Sequence, residues 1–216
     1  MNWQLLFDGL IALGTIAVAV LAIWGDWFKH RLAGPDLSLV AHNFRGNATW
    51  IRFNVGQGEE SGNAFRAIFY HLKVVNKRRW VTVRNCRVLL LALHRKGPDG
   101  YFHKIPLVVQ LQYIWTPAEF APILQSFNKE AILDFGKLME GQKVFQPTLY
   151  VIPNNFNGFI GANESVRYTL QVTADNYSGD IEHVFEVSWN GQFSDNMDDM
   201  ERNLIIKEVR DNLTTG

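Results

Sequence analysis

Lys77-Arg78-Arg79-Trp80 is the densest group of chemistry-bearing side chains in this sequence. It lies in a wider basic region: from Arg66 to Lys104 there are ten Lys or Arg and one acid, Asp99. Three cations beside an indole suit a polyanion. Next to a bilayer they hold anionic headgroups, at about 1 kcal/mol per charge. Away from one they grip phosphate, with Trp80 as a stacking surface, so a nucleotide or nucleic acid is the less favoured occupant. The competing reading is a solvated turn whose charges pair with the C-terminal region. Residues 175–216 carry ten acids against three bases. With 21 basic and 21 acidic residues overall, no global field selects a partner.

Other reactive residue types lack the company that chemistry needs. Cys86 sits between Arg84 and Arg87, neighbours that would depress a thiol pKa. No His is close to it in sequence, and it reads as a small core residue. The six His are scattered without metal-ligand spacing, so no metal is expected. Asp195, Asp198, Asp199 and Glu201 crowd one short stretch, which reads as the acidic start of a helix. Gly56, Gly58, Gly158 and Gly161 lack the Lys-Ser/Thr of a phosphate-binding loop. No cofactor and no enzymatic activity are expected. A hydrolase site dispersed along the sequence is the residual alternative.

Whatever these groups do is set by a membrane segment. Residues 5–24 form a run of 20 with one charge, Asp8. At about 1.5 Å rise per residue the run spans roughly 30 Å, the thickness of a bilayer's hydrocarbon core. Trp3 stands near one end; Trp24, Trp27 and Phe28 stand near the other, where rings favour the interface. The start carries no Lys or Arg, and bulky IWGDWFKHR occupies the place of a signal cleavage site. A retained single-pass anchor, residues 1–33, is therefore expected in the inner (plasma) membrane. Lys29 and Arg31 follow the run and no base precedes it. The positive-inside rule then predicts an N-terminus outside and a cytoplasmic soluble domain. Asp8, Ala12, Thr15, Ala19 and Ala22 recur at heptad spacing. Small residues let helices approach closely in lipid, so this seam would support a homo-oligomer; ordinary alanine content is the alternative.

Residues 34–216 read as one predominantly β domain. Gly34-Pro35 ends the helix. Strand patterns follow at residues 36–41, 49–54, 67–75, 80–93, 107–115, 144–152, 166–174 and 182–189, with Gly/Asn/Pro/Asp turn chemistry between them. Residues 195–213 predict a C-terminal helix, with a closing strand at 204–206 as the alternative; a second, weaker helix is read at 117–125. Phe156 and Phe159, in the loop NNFNGFIG, read either as exposed partner contacts or as rings folded back on the rim.

Two stretches carry a resemblance. YHLKVVNKRRWVTVRNCRVLLLAL (residues 70–93) resembles the paired central strands of bacterial immunoglobulin-like sandwiches, in which an L-x-V-x-N strand end leads through a polar turn into a second long strand. VRYTLQVTADNYSGDIEHVFEVSW (residues 166–189) is similar to the last hairpin of such domains. AIWGDWFKHRLAGPDLSL is similar to the anchor-to-domain junction of bacterial single-pass membrane proteins. The resemblance implies an immunoglobulin-like antiparallel β-sandwich after one transmembrane helix, with a short C-terminal helix. It implies no activity. The expected function is a membrane-anchored interaction or sensor module with an unspecified protein partner; an oligomerising pore or leak is the alternative.

Overall fold

The computed structural model describes residues 3–52, 64–118 and 120–209. Helix α1 (Trp3–Ala33) is built from Leu, Ile, Val and Ala and stops where Gly34 and Pro35 deny it further turns. Its stretch Phe7–Gly25 is long and apolar enough to cross a membrane, and none of it is buried in the rest of the chain. The remainder is mainly β. The strands are β1 (Leu37–Arg52), β2 (Ala64–Asn76), β3 (Val83–Lys96), β4 (Phe102–Ile105), β5 (Leu111–Gln112) and β6 (Ile114–Trp115). They continue with β7 (Gln125–Phe127), β8 (Glu130–Met139), β9 (Gln146–Pro147), β10 (Glu164–Thr173), β11 (Glu182–Trp189) and β12 (Leu204–Val209). A short helix of about two turns, α2 (Met197–Asn203), precedes the last strand.

All pairings are antiparallel. One sheet runs β1-β2-β8-β6 and the other β12-β11-β10-β3-β4. Period-2 alternation decides which side chains turn inward. On β2 these are Ile68, Tyr70, Leu72 and Val74; on β10 they are Val166, Tyr168, Leu170 and Val172. Residues from both sheets form one core centred on Phe135, whose ring packs against Tyr113, Phe145, Tyr168 and Phe185.

Several sequence expectations are corrected. Residues 36–41 and 49–54 are not two strands: β1 is continuous from Leu37, bulged between Ala41 and Asn47, and residues 53–54 lie outside the described residues, as do Gly56 and Gly58. The C-terminal helix ends at Asn203, because Leu204, Ile206 and Val209 pair with Trp189, Val187 and Val184. Pairing with a sheet edge offers β-branched residues a better fit than helix continuation. The cap is Asn196, whose side chain accepts from the Asp198 N–H at 2.9 Å. No helix forms among the described residues of 117–125; turns, bends and irregular chain lead to Gln125, which opens β7. Strand β8 was not foreseen. A bulge opposite Tyr70 and His71 leaves Phe135 without a partner residue and breaks the alternation that marks a strand.

One histidine ties the two sheets. His183 Nε2 accepts from the Leu39 N–H at 3.4 Å while Nδ1 lies 3.6 Å from Glu208. Burial lowers its pKa, and Glu208 offsets this only in part. The folded protein therefore binds its proton less readily than the unfolded chain. Stability should be full above the ordinary histidine range near 6.5 and fall as pH drops through it. Denaturation midpoints measured at stepped pH should decline on acidification, and His183→Gln should flatten that part of the profile.

Candidate functional site

The basic turn is an organised structure. Asn76 ends β2 fully buried. Its Oδ1 accepts from the N–H groups of Asp36 at 3.2 Å and Arg78 at 3.1 Å. Its Nδ2 donates to the carbonyls of Arg78, Val81 and Asn128 at 2.9, 2.7 and 3.0 Å. The turn is also bonded to the chain leaving α1. Arg78 Nη1 donates to the Gly34 carbonyl at 2.9 Å, and the Lys77 N–H donates to the Asp36 carbonyl at 2.8 Å. Lys77, Arg79 and Trp80 are exposed, Trp80 at 81%. Lys129, exposed beside them, belongs to the same end of the fold through the bond from the Asn76 N–H to its carbonyl. The sequence reading did not include it.

Among the described residues, the ion pairs of the acidic C-terminal region lie away from the basic turn. Asp195 pairs with Arg66, Asp198 with Arg45, and Asp199 with Arg202. Glu186 bridges Arg167 at 2.9 Å and Lys207 at 2.8 Å, and Glu208 faces His183. Burial would raise the Glu186 pKa, but the two cations outweigh it and hold the carboxyl below the usual range.

On α1, Asp8, Ala12, Thr15, Ala19 and Ala22 are exposed on continuous helix. The Thr15 hydroxyl donates to the Ile11 carbonyl at 2.9 Å, so its polar hydrogen is satisfied within the helix. Cys86 is fully buried, and burial pushes its thiol up to about 12. Burial alone accounts for this, and a thiol held protonated at neutral pH is a poor nucleophile. Phe156 is buried and Phe159 packs edge-on against it at 5.2 Å, so these rings fold back on the core. Among the described residues no group of three His, Cys, Asp or Glu could hold a metal ion.

The structure assembles one polar cluster that the sequence reading missed. His71 is 8% exposed and Asp134 4%, although both occupy outward-facing strand positions. His71 Nε2 lies 3.1 Å from Asp134 Oδ1, and the Thr116 hydroxyl donates to the same oxygen at 2.5 Å. His71 Nδ1 lies 3.3 Å from Asn47 Nδ2, and Asn47 Oδ1 accepts from Asn43 Nδ2 at 3.2 Å. The donors align in one direction, which assigns the imidazole proton to Nε2 and leaves Nδ1 accepting. A cleft of about 530 Å³ opens over the cluster. The one sequence signal was a His in an otherwise regular strand.

No protein-family model, curated protein or solved structure matches the chain. The two sites are therefore read from their own chemistry.

Proposed function

We propose that this chain is a single-pass, membrane-anchored, non-enzymatic interaction module. Its immunoglobulin-like domain lies on the cytoplasmic side, and its basic turn rests on the anionic surface of the same bilayer. The observation that carries this reading is the bonding of the Lys77–Trp80 turn to Gly34 and Asp36, the first residues after α1. That bonding keeps Lys77, Arg78, Arg79 and Trp80 at the base of the helix. An indole and several cations at that height suit the headgroup region.

Strand order supports the immunoglobulin-like part. Taking β1, β2, β3, β4, β6, β8, β10 and β11 as A, B, C, C′, D, E, F and G, the sheets read A-B-E-D and G-F-C-C′, with β12 added beyond G. Tyr168 on the F-equivalent strand donates its hydroxyl back to the Gly158 carbonyl at 2.5 Å, in the manner of a tyrosine corner. The non-enzymatic part draws on His71, both of whose ring nitrogens are already engaged by protein groups. A general base needs a ring nitrogen within reach of substrate.

The test uses the full chain in nanodiscs made with and without phosphatidylglycerol. Trp80 fluorescence should be quenched by lipids brominated high in the acyl chain, and more strongly with the anionic lipid. The difference should fade with salt, since exposed charges are screened over about 8 Å at physiological ionic strength. Trp80→Phe should remove the part of the quenching that depends on anionic lipid and leave that of Trp3, Trp24 and Trp27 beside the apolar run, and Lys77→Ala/Arg78→Ala/Arg79→Ala should abolish the dependence on anionic lipid. Quenching that is the same in all variants sinks the docking reading. Orientation is read separately, with C-terminal reporters active only in the cytoplasm or only outside it; Lys29→Glu with Arg31→Glu should weaken or invert the wild-type topology.

The same reading includes self-association through the small-residue seam. Ala19→Leu should weaken the dimer signal in a membrane-helix association assay, whereas Val20→Leu, off the seam, should not. Equal association of both variants with the parent would reduce the stripe to composition.

A further inference from the structure

The cluster under the 530 Å³ cleft has features that a purely structural pair does not need. On the outer face of a sheet, His and Asp could point to water at little cost. Here they are desolvated, and a buried carboxylate–imidazole pair gains little stability over apolar residues of similar size. Backbone irregularity converges on the same place. β1 shifts register between Ala41 and Asn43 and again between Asn43 and Asn47; β2 and β8 shift between Tyr70 and His71. Bulges of this kind re-aim side chains and gather next to binding sites. Four elements thus contribute one polar floor: β1 supplies Asn47, β2 His71, β8 Asp134, and the chain after β6 Thr116.

The lining states what the cleft would accept. Trp50, 65% exposed, and Phe69 supply aromatic walls. Among the described side chains no Lys or Arg lines it; Lys137, a neighbouring base, sits 5.9 Å from the Phe69 ring centroid and outside the lining. With the imidazole proton on Nε2, shared with Asp134 Oδ1, the Asp134 carboxylate supplies the negative charge among these lining residues. Both internal donors bind its Oδ1. Its Oδ2 takes neither of those bonds. A negative floor beneath π-faces is complementary to a cation with N–H donors: the carboxylate accepts its hydrogen bonds and the rings add cation–π attraction. Among these residues an anionic ligand would meet repulsion without a compensating base.

We propose that this cleft is a binding site for a small organic cation, a primary ammonium or guanidinium group carried on an apolar or planar body, with Asp134 as its counter-ion and Trp50 and Phe69 as its walls. The proposal does not rest on membrane docking, because no residue of the basic turn takes part. It would give the interaction module an amine-bearing ligand, free or displayed as a side chain.

The test compares three probes that share one ring and differ in head group. Benzylammonium, benzyl alcohol and benzoate are titrated calorimetrically into the full chain in zwitterionic nanodiscs. Benzylammonium should bind saturably, benzyl alcohol at least tenfold more weakly, and benzoate not at all. Asp134→Asn keeps the shape and the acceptor oxygen but removes the charge. It should cost benzylammonium at least tenfold in affinity and leave benzyl alcohol unchanged. Trp50→Ala, at an exposed position, should weaken benzylammonium severalfold without touching the fold. If benzylammonium shows no saturable binding, or binds no better than the alcohol, the assignment is overturned; those comparisons stand on the wild-type chain even if Asp134→Asn fails to fold. Undiminished benzylammonium binding by folded Asp134→Asn overturns it equally. None of these outcomes depends on anionic lipid, so failure here leaves the docking reading to its own test.

Discussion

Asn76→Ala should lower the unfolding free energy by about 3–5 kcal/mol, the range for breaking a fully buried hydrogen-bond network. The reason lies in what the truncation strands. The Asp36 and Arg78 N–H groups lose their acceptor, the carbonyls of Val81 and Asn128 lose their donor, and the Arg78 carbonyl is left with the Val81 N–H. A methyl group replaces none of these bonds, and at a fully buried position water does not replace them either. Asn76→Asp should do no better, since a carboxylate would face three carbonyl oxygens. Denaturant unfolding of the detergent-solubilised full chain measures the loss. The same variant should release the basic turn from Gly34 and Asp36. Trp80 quenching in nanodiscs should then lose its sensitivity to phosphatidylglycerol while α1 stays inserted. An Asn76→Ala protein within about 1 kcal/mol of wild type, the worth of a single ordinary bond, would show that Asn76 does not organise the turn.

Gly136→Ala should cost about 3 kcal/mol, toward the upper end of overpacking penalties. Gly136 lies on β8 opposite Tyr70 and Pro147. A Cβ there would collide with the Phe145 ring and come within 2.9 Å of the Gln146 carbonyl oxygen. Neither neighbour yields easily. Phe145 is fully buried, with Tyr70 and Phe135 each 6.0 Å away between ring centroids, and the carbonyl belongs to the paired strand β9. Phe145→Leu makes room at its own expense as a cavity. Combined with Gly136→Ala it should cost at least 1 kcal/mol less than the sum of the two single losses, because both act on one space. Additive losses in the denaturation midpoints would show that the clash relaxes by another route.

The two variants probe different kinds of information in the chain. Elements whose signal is local were legible in the sequence. The apolar run that makes α1 needs only its own composition, and the alternations at 67–75, 166–174 and 182–189 need only period 2. The polar turn at residues 77–80 was equally plain. Cys86 was read as core because an isolated thiol in a strand has no chemistry to do, and its burial agrees.

What the tertiary structure decided are choices between near-equal local options and contacts between distant segments. Leu204–Val209 could have continued a helix; the open edge of β11 made it a strand. β8 carries Asp134 and Gly136 where alternation would want regular residues, and only the bulge against β2 makes room for both. The direction in which the acidic region pairs was equally out of reach: its charge was visible, but its meeting with Arg45 and Arg66 depends on how α2 lies beside β1 and on where Asp195, just before α2, meets β2. The His71–Asp134–Thr116 cluster is the extreme case. Its members come from three separate parts of the chain and share no spacing. Hydrogen bonds act over about 3 Å of space whatever the distance along the chain. A sequence therefore determines such a site while leaving no local pattern by which to read it.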